Sequence, residues 1–202
     1  MNEIIIIGSG GHANSCIDVV ESTGLFKIAG LIEKNNDNSK NHSSYSIIGA
    51  DNDLPKLRLK YEHALVAVGQ IKSPKTRTKL FNMLLNLKYT LPVIISPKSY
   101  VSKRSKISIG SIIMHDVIIN SNAIIGKNCI INSKALIEHD AYVGNNCHIA
   151  TGAIINGKVR VNDNTFIGSG VITKQSIEIG SNCIIGAGSV IKDNVNSNQI
   201  IK

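Results

Sequence analysis

VIINSNAIIGKNCIINSKALIEHDAYVGNNCHIATGAIINGKVRV, residues 117–161, places an aliphatic side chain at every sixth position: Ile119, Ile125, Ile131, Ile137, Val143, Ile149, Ile155 and Val161. The same phase runs back through Ile113, Ile107 and Val101 to Ile95. It runs on through Ile167, Thr173, Ile179 and Ile185 to Ile191, seventeen positions in which Thr173 is the one exception. Chance would fill roughly a third of such slots with Ile, Leu or Val. The residue two places earlier is small or β-branched, as at Ser111, Ala123, Cys129, Ala135, Ala141, Cys147, Ala153, Thr165 and Cys183. Glycine follows the aliphatic residue at Gly126, Gly144, Gly168, Gly180 and Gly186.

A hexapeptide period is the mark of a parallel β-helix, in which three hexapeptides close one triangular coil of about 18 residues. The aliphatic residue points inward and stacks on its copy in the next coil. The small residue shares the crowded interior near a corner. Corners need positive φ, which Gly and Asn tolerate, and Asn122, Asn128, Asn145, Asn146, Asn162, Asn164 and Asn182 fall in such stretches. An antiparallel sandwich also alternates inward and outward residues. It has no reason to hold one phase for so long without an insertion.

The 202 residues suit one large or two small domains. Trp is absent and aromatics are few, which fits a narrow prism filled with stacked Ile and Val. No start resembles a signal peptide and no apolar run approaches membrane-spanning length, so a cytoplasmic location is expected. Cys129, Cys147 and Cys183 occupy the small interior slot on one side of the coils and read as buried thiols. With no CxxC, neither a zinc cluster nor a disulfide framework is expected. The net charge of +8 raises nucleic acid as a partner. The Lys and Arg residues are scattered, however, with one modest cluster at Lys72, Lys75, Arg77 and Lys79, and no aromatic stacking platform accompanies them. Phosphorylated small molecules suit a basic surface equally well.

The amino-terminal part reads as alternating strands and helices, a small α/β unit with a parallel sheet. Strands are expected at 3–7, 27–32, 63–68 and 91–95. Helices are expected at about 12–22 and 73–87, with a short one from Asp53 and with Gly24 just beyond the first. Gly8-Ser9-Gly10-Gly11-His12-Ala13 after the first strand is Rossmann-like, a turn whose amides and helix dipole face a bound phosphate. The region is too short for a full dinucleotide fold, which favours a mononucleotide or nucleotide-sugar site. A glycine turn that merely packs a helix on a sheet is the plainer alternative. His12 would sit beside the phosphate site. Glu33 and Lys34, ending the second strand, are candidates for base or ribose contacts, and Gly69 closes the strand facing them.

The two halves together resemble the sialic-acid O-acetyltransferase and nucleotide-4-amino-sugar N-acetyltransferase family, hexapeptide-repeat acyltransferases with an N-terminal Rossmann-like domain. The marks are Gly8-Ser9-Gly10-Gly11-His12-Ala13, Ile48-Gly49 to Asp53-Leu54-Pro55, Val66-Ala67-Val68-Gly69 and Ile95-Ser96-Pro97. The most specific runs from Asn132 through Ile137-Glu138-His139-Asp140 to Gly144 and His148. The resemblance implies a Rossmann-like nucleotide-sugar-binding domain at 1–90 and a left-handed β-helix at 91–202 that binds acetyl-CoA. It implies a homotrimer with active sites in the clefts between neighbours. His139 matches the family's general base. Asp140 matches its carboxylate partner, commonly Glu, with Glu138 as a neighbouring substitute. Asn132 matches a position lining the reacting groups, and His148 one near the thioester arm. Gly157, Gly168, Ser169, Gly186 and Ala187 match positions along the pantetheine groove. The chain stops at Ile200-Ile201-Lys202 without the Gly-x-Pro-Ala-Lys loop of many relatives, so adenine contacts would fall to the last coil around Lys192.

Acetyl transfer to an amine needs a proton acceptor near working pH, which histidine beside a carboxylate provides. The solenoid cysteines are interior, so direct attack in a ternary complex is expected. Strict alternation from inward Ile137 turns His139 inward, but its place beside a corner leaves the direction open. His148 lies outward on a strand, and His42, His63 and His115 read as solvated. The leading expectation is N-acetylation of a nucleotide-linked 4-amino-deoxy sugar in surface-glycan biosynthesis. O-acetylation of a sialic or related nonulosonic acid uses the same base. A non-catalytic sugar-nucleotide binding protein is a third reading. A zinc hydratase would need His115, His139 and His148 to converge.

Overall fold

The computed structural model describes residues 1–34 and 44–202; His42 lies outside them. In the amino-terminal part, β1 (Asn2–Ile7), β2 (Phe26–Glu33), β3 (Ile47–Ala50) and β4 (His63–Val66) form one parallel sheet in the order β3-β2-β1-β4. β1 is central and buried on both faces, which is why it is a run of isoleucines rather than an alternating strand. Ile4 and Ile6 pack with helix α1 (Gly11–Thr23), and Ile5 and Ile7 with the side that holds α3 (Lys75–Asn86). Gly24 closes α1 in the left-handed conformation, its N–H bonded to the Glu21 carbonyl at 3.1 Å. A 3-10 turn (Asp51–Asp53) leads into α2 (Leu54–Leu57). The fourth strand ends at Val66, two residues earlier than expected. β3 has no counterpart in the sequence reading: four residues interrupted by Gly49 carry too little alternation to signal an edge strand.

From Ile94 onward the chain is a left-handed prism of two-residue strands in three parallel sheets of seven, six and five. Partners along each sheet lie one coil apart, as in Ile131↔Ile149, Ile137↔Ile155 and Val143↔Val161. The inward columns are fully buried from Ile113 through Ile185. Cys129, Cys147 and Cys183 sit among them, and each thiol donates to a carbonyl of the next coil, Gly144, Asn162 and Asn196 respectively.

The corners repeat as strictly as the core. Every sixth residue from Gly110 to Gly188 has φ near +60°, fourteen in succession, Asn122, Asn128, Asp140, Asn146, Asn164 and Asn182 among them. Asn145 and Asn162, expected in this role, do not adopt it. They bond along the stack instead, to Asp163 and Glu178. Glycine after the aliphatic residue has a different cause. At Gly126 and Gly168 a Cβ would come within 2.6 Å of backbone in the next coil.

Thr173, the exception in the aliphatic column, is buried and accepts the Asn156 N–H at 3.0 Å. In the other coils the equivalent amide bonds the backbone carbonyl of the aliphatic residue, as the Asn162 N–H does to Ile179, so the hydroxyl replaces a carbonyl here. Beyond Ile191 the repeat continues with one corner shortened. Val195 stacks on Ile179 and Ile201 on Ile185, 16 residues apart in place of 18.

A buried polar cluster joins the two parts. Arg77 of α3 is 2% exposed and has only neutral acceptors: Gln70 Oε1 at 3.1 Å, Asn128 Oδ1 at 3.0 Å and the Cys147 carbonyl at 3.3 Å. Burial holds its pKa down, to about 10. His148, outward on its strand, is covered by the α/β part rather than open to a groove, and bonds the Gln70 carbonyl through Nδ1 at 2.6 Å. His12 lies beside it, ring centroids 6.3 Å apart. Both imidazoles are pushed down to about 4. For His12 the causes are burial, then His148, then Arg77. For His148 burial outweighs the Gln70 carbonyl, and Arg77 adds to it. His115 is no solvated surface residue either: it bridges Ser96 at 2.6 Å and Asp18 of α1 at 2.7 Å. His63 packs against Phe26, ring centroids 5.3 Å apart. No helix among the described residues is long and apolar enough to cross a membrane.

Replacing Thr173 by Val is expected to change the unfolding free energy by less than about 1 kcal/mol in denaturant melts, because the residue-173 carbonyl can take the Asn156 amide as its counterparts do in the other coils. The histidine pair sets a pH response. The unfolded chain protonates near pH 6.5, the folded pair only near 4. In that window the unfolded state holds the extra protons, so stability falls as pH drops. Tm should fall by about 5 °C or more between pH 6.5 and 4, and His148→Gln should flatten the profile.

Candidate functional site

His139 and Asp140 follow the strand Leu136–Ile137 at a corner of the six-stranded sheet. Asp140 is one of the left-handed corner residues, φ 60°. That turn breaks strand alternation and throws His139 outward, its side chain 57% exposed, against the inward orientation expected from the strand. Nδ1 of His139 contacts Asp140 Oδ2 at 2.9 Å. The shorter Asp thus reaches the imidazole. Asp140 also accepts from Asn122 one coil earlier, at 3.1 Å. The His139 contact first, then Asn122, hold its carboxyl below the usual range. With Nδ1–H directed at the carboxylate, Nε2 is left as the basic nitrogen.

The position one coil after His139 is Gly157. A Cβ there would stand 2.7 Å from His139 Nε2, so the ring holds this position because residue 157 is glycine. Glu138 accepts from Asn120 at 2.9 Å and from the His139 amide at 3.2 Å, which ties the turn from its other side. The outward column of this same sheet is apolar throughout: Tyr100, Ile118, Ile172 and Val190 are exposed, Leu136 and Ile154 half-buried. The dyad stands at the margin of that face.

A second concavity, of about 360 Å³, lies at the sheet end of the α/β part. It is lined by Gly8, Ser9, Gly10, Gly11, His12, Glu33, Lys34 and Gly69. β1 ends at Gly8, whose φ of +117° turns the chain into α1. α1 begins without a capping side chain or an acidic first turn. Its first amides are therefore offered to an anion. Glu33 Oε2 is buried there with no partner, which fits a hydroxyl or N–H donor from a bound molecule.

The remaining candidates are divided between sites. Asn132 contacts His148 at 3.5 Å and caps the Ser133 amide, so within one chain it belongs to the domain junction and not to the dyad. Ser169, Ala187 and Lys192 are exposed, while Gly168 and Gly186 press on the following coil. The three histidines of the zinc reading do not converge, since His115 is committed to Ser96 and Asp18 and His148 to Gln70. Among the described residues no group of three His, Cys, Asp or Glu is arranged to hold a metal ion. Arg77 was read only as part of a surface cluster, and a lone Arg inside an amphipathic helix gives little sign of burial. The apolar outward column recurs every eighteenth residue from Tyr100 to Val190, a period masked by the six-residue inward one.

The PglD N-terminal domain model matches residues 3–84, and the bacterial transferase hexapeptide model matches 122–157 and 158–193. No curated protein matches the chain. Among solved structures, a histidine-to-asparagine variant of perosamine N-acetyltransferase from Caulobacter crescentus, in complex with CoA and GDP-perosamine, is 27% identical. It superposes with a TM-score of 0.91 over 99% of this chain and 93% of that one. The acetyltransferase domain of PglB from Neisseria gonorrhoeae, in complex with acetyl coenzyme A, is 26% identical, with a TM-score of 0.90 over 99% and 96%. WeeI from Acinetobacter baumannii shares the fold at 20% identity and a TM-score of 0.88, over 100% and 97%. With both halves matched and the same joint architecture in these relatives, the chain belongs to the hexapeptide-repeat acyltransferases that carry a PglD-type N-terminal domain, the nucleotide-4-amino-sugar N-acetyltransferase family.

Proposed function

We propose that this chain transfers the acetyl group of acetyl-CoA to the 4-amino group of a nucleotide-linked 4-amino-deoxy sugar, with His139 as general base, in surface-glycan biosynthesis. The observation that carries the reading is the His139–Asp140 contact at 2.9 Å, with Nε2 over Gly157 and open to a reacting amine. The relatives support the substrates: one is held with acetyl coenzyme A, another with CoA and GDP-perosamine. Residues 1–90 would hold the nucleotide. Its phosphates would meet the amides of Gly10 and Gly11, and its ribose or base the unpaired Glu33 oxygen beside Lys34. Residues 91–202 would hold the coenzyme along Gly157, Gly168, Ser169, Gly186 and Ala187, with Lys192 toward its adenine end. His148 and Asn132 would act from beneath, fixing the α/β part against the prism.

The apolar sheet face beside the dyad is of the kind that marks a protein interface. A homotrimer would bury it and place His139 in a cleft walled by a second copy. There the sugar amine attacks the thioester carbonyl carbon. His139 Nε2 accepts the amine proton, Asp140 supports the imidazolium, the C–S bond breaks, and the proton returns to the departing thiolate. Amide and coenzyme A thiol are the products. Co-binding of both substrates supplies the proximity that a bimolecular reaction lacks.

Thiol release from acetyl-CoA should be seen with one member of a panel of 4-amino nucleotide sugars. His139→Ala should reduce it by about 10²–10⁴-fold. Turnover with free sialic acid alone would replace this reading by O-acetylation, and binding of nucleotide sugar without thiol release from any acceptor would make the protein a binding module. Gly157→Ala should lower kcat while leaving the melting temperature near wild type, because the added methyl displaces the His139 ring at the surface and not the core.

A further inference from the structure

A larger cavity, about 580 Å³, opens on the opposite side of the loop that follows Gly69, between the start of α3 and the outward face of the seven-stranded sheet. Its volume is that of a small-molecule site. Lys72, Lys75 and Lys79 stand on its rim, all exposed, and no Asp or Glu is among the residues that line it. The floor is built. Gln70 is 3% exposed, with Oε1 committed to Arg77 and Nε2 left without a partner. Thr78 Oγ1, also lining the cavity, is buried and unpaired. Orphaned groups of this kind cost about 1–3 kcal/mol each unless something satisfies them.

The prism contributes a third sign. A ladder of corner asparagines runs from Arg77 through Asn128 to Asn146 at 2.8 Å and to Asn164 at 3.2 Å, and resumes between Asn182 and Asn198 at 3.2 Å. The rung between Asn164 and Asn182 is missing, and both carboxamides line the cavity together with Phe166. Asn164 Oδ1 accepts from Asn146 and Asn182 Nδ2 donates to Asn198, while the Asn164 Nδ2 donor and the Asn182 Oδ1 acceptor that would form the rung between them have no protein partner among the described residues.

We propose that this cavity is a second ligand site, which takes the phosphates of a nucleotide on Lys72, Lys75 and Lys79 and its base against Phe166 and the Asn164 and Asn182 carboxamides. Flexible lysines suit a phosphate without fixing its geometry. Carboxamides offer the paired donor and acceptor that a base edge requires. The site is distinct from the glycine-loop pocket and stands whether or not the acetyl-transfer reading holds. It also touches the domain junction: Phe166 meets the His148 ring edge-on at 5.2 Å, and the Gln70 carbonyl holds His148. The occupant is a free nucleotide, since none of the residues assigned to the coenzyme, Lys192 at its adenine end included, lines this cavity.

Photolabelling of the whole protein with 8-azido-ADP, followed by peptide mapping, tests the assignment. Label is expected on the prism segment 161–192 and should drop about tenfold in the K72E/K75E double variant. Label on the glycine-loop segment 3–27 should survive in that variant and reports its folding. Free ADP is expected to compete for the prism label at least as well as coenzyme A; stronger competition by coenzyme A would assign the label to the coenzyme path and overturn the site. Label confined to segment 3–27, or prism label indifferent to the double variant, would overturn it. Loss of acetyl transfer with the prism label intact would count against the proposed reaction alone.

Discussion

Each residue of the prism rests on the residue at its own position in the coils before and after, about 4.8 Å away. This self-stacking decides which side chains each column accepts. Isoleucine repeats because its branched shape packs on a copy of itself. The interior cysteines repeat because a small thiol fits the narrow slot and can still donate to the next coil's carbonyl. Asparagine repeats at a corner because one carboxamide bonds the next while the backbone takes positive φ. The dyad is the exception that follows from the same constraint. An exposed imidazole can lie along the prism only where its column neighbour has no side chain, and Gly157 supplies that gap.

This constraint also explains how much was legible beforehand. A six-residue period with a small residue at a fixed offset reports both the fold and the identity of the inward columns. The glycine-loop residues were legible as a group because a strand, a glycine turn and a helix are contiguous in sequence, and the structure brings all eight candidates to one concavity. Contacts between distant segments were not legible. Nothing in the sequence around Arg77 announces Asn128 or Cys147 as partners, 51 and 70 residues away. His148 was read as an open strand residue because its cover comes from Gln70, 78 residues earlier. The direction of His139 is not legible from strand alternation, which stops at the left-handed corner formed by Asp140.

The domain junction depends on polar contacts as much as on apolar ones. Ile94, Ile112, Met114 and Ile130 of the prism share a core with α1, but oily contact alone fixes orientation weakly. The Arg77 guanidinium, with planar donors and neutral acceptors on both sides, sets a register that a sliding interface would lose. Burying that charge without a carboxylate is costly. Burial, with a smaller contribution from this charge, leaves His12 and His148 neutral. The Asp18–His115–Ser96 bridge ties the other end of α1 to the first coil. The two concavities lie on either side of the loop that follows Gly69.

The shortened corner after Ile191 shows where this architecture tolerates change in length. Two residues are missing there, yet Val195 and Ile201 still fall into the columns begun by Ile179 and Ile185. Here the strands keep count and the corner does not. A residue added within a strand would rotate every later side chain by one place, whereas one added or lost at a corner is absorbed before the next strand begins. New loops, and with them new substrate contacts, can therefore be acquired at corners such as the one bearing His139 without any coil above or below having to be rebuilt.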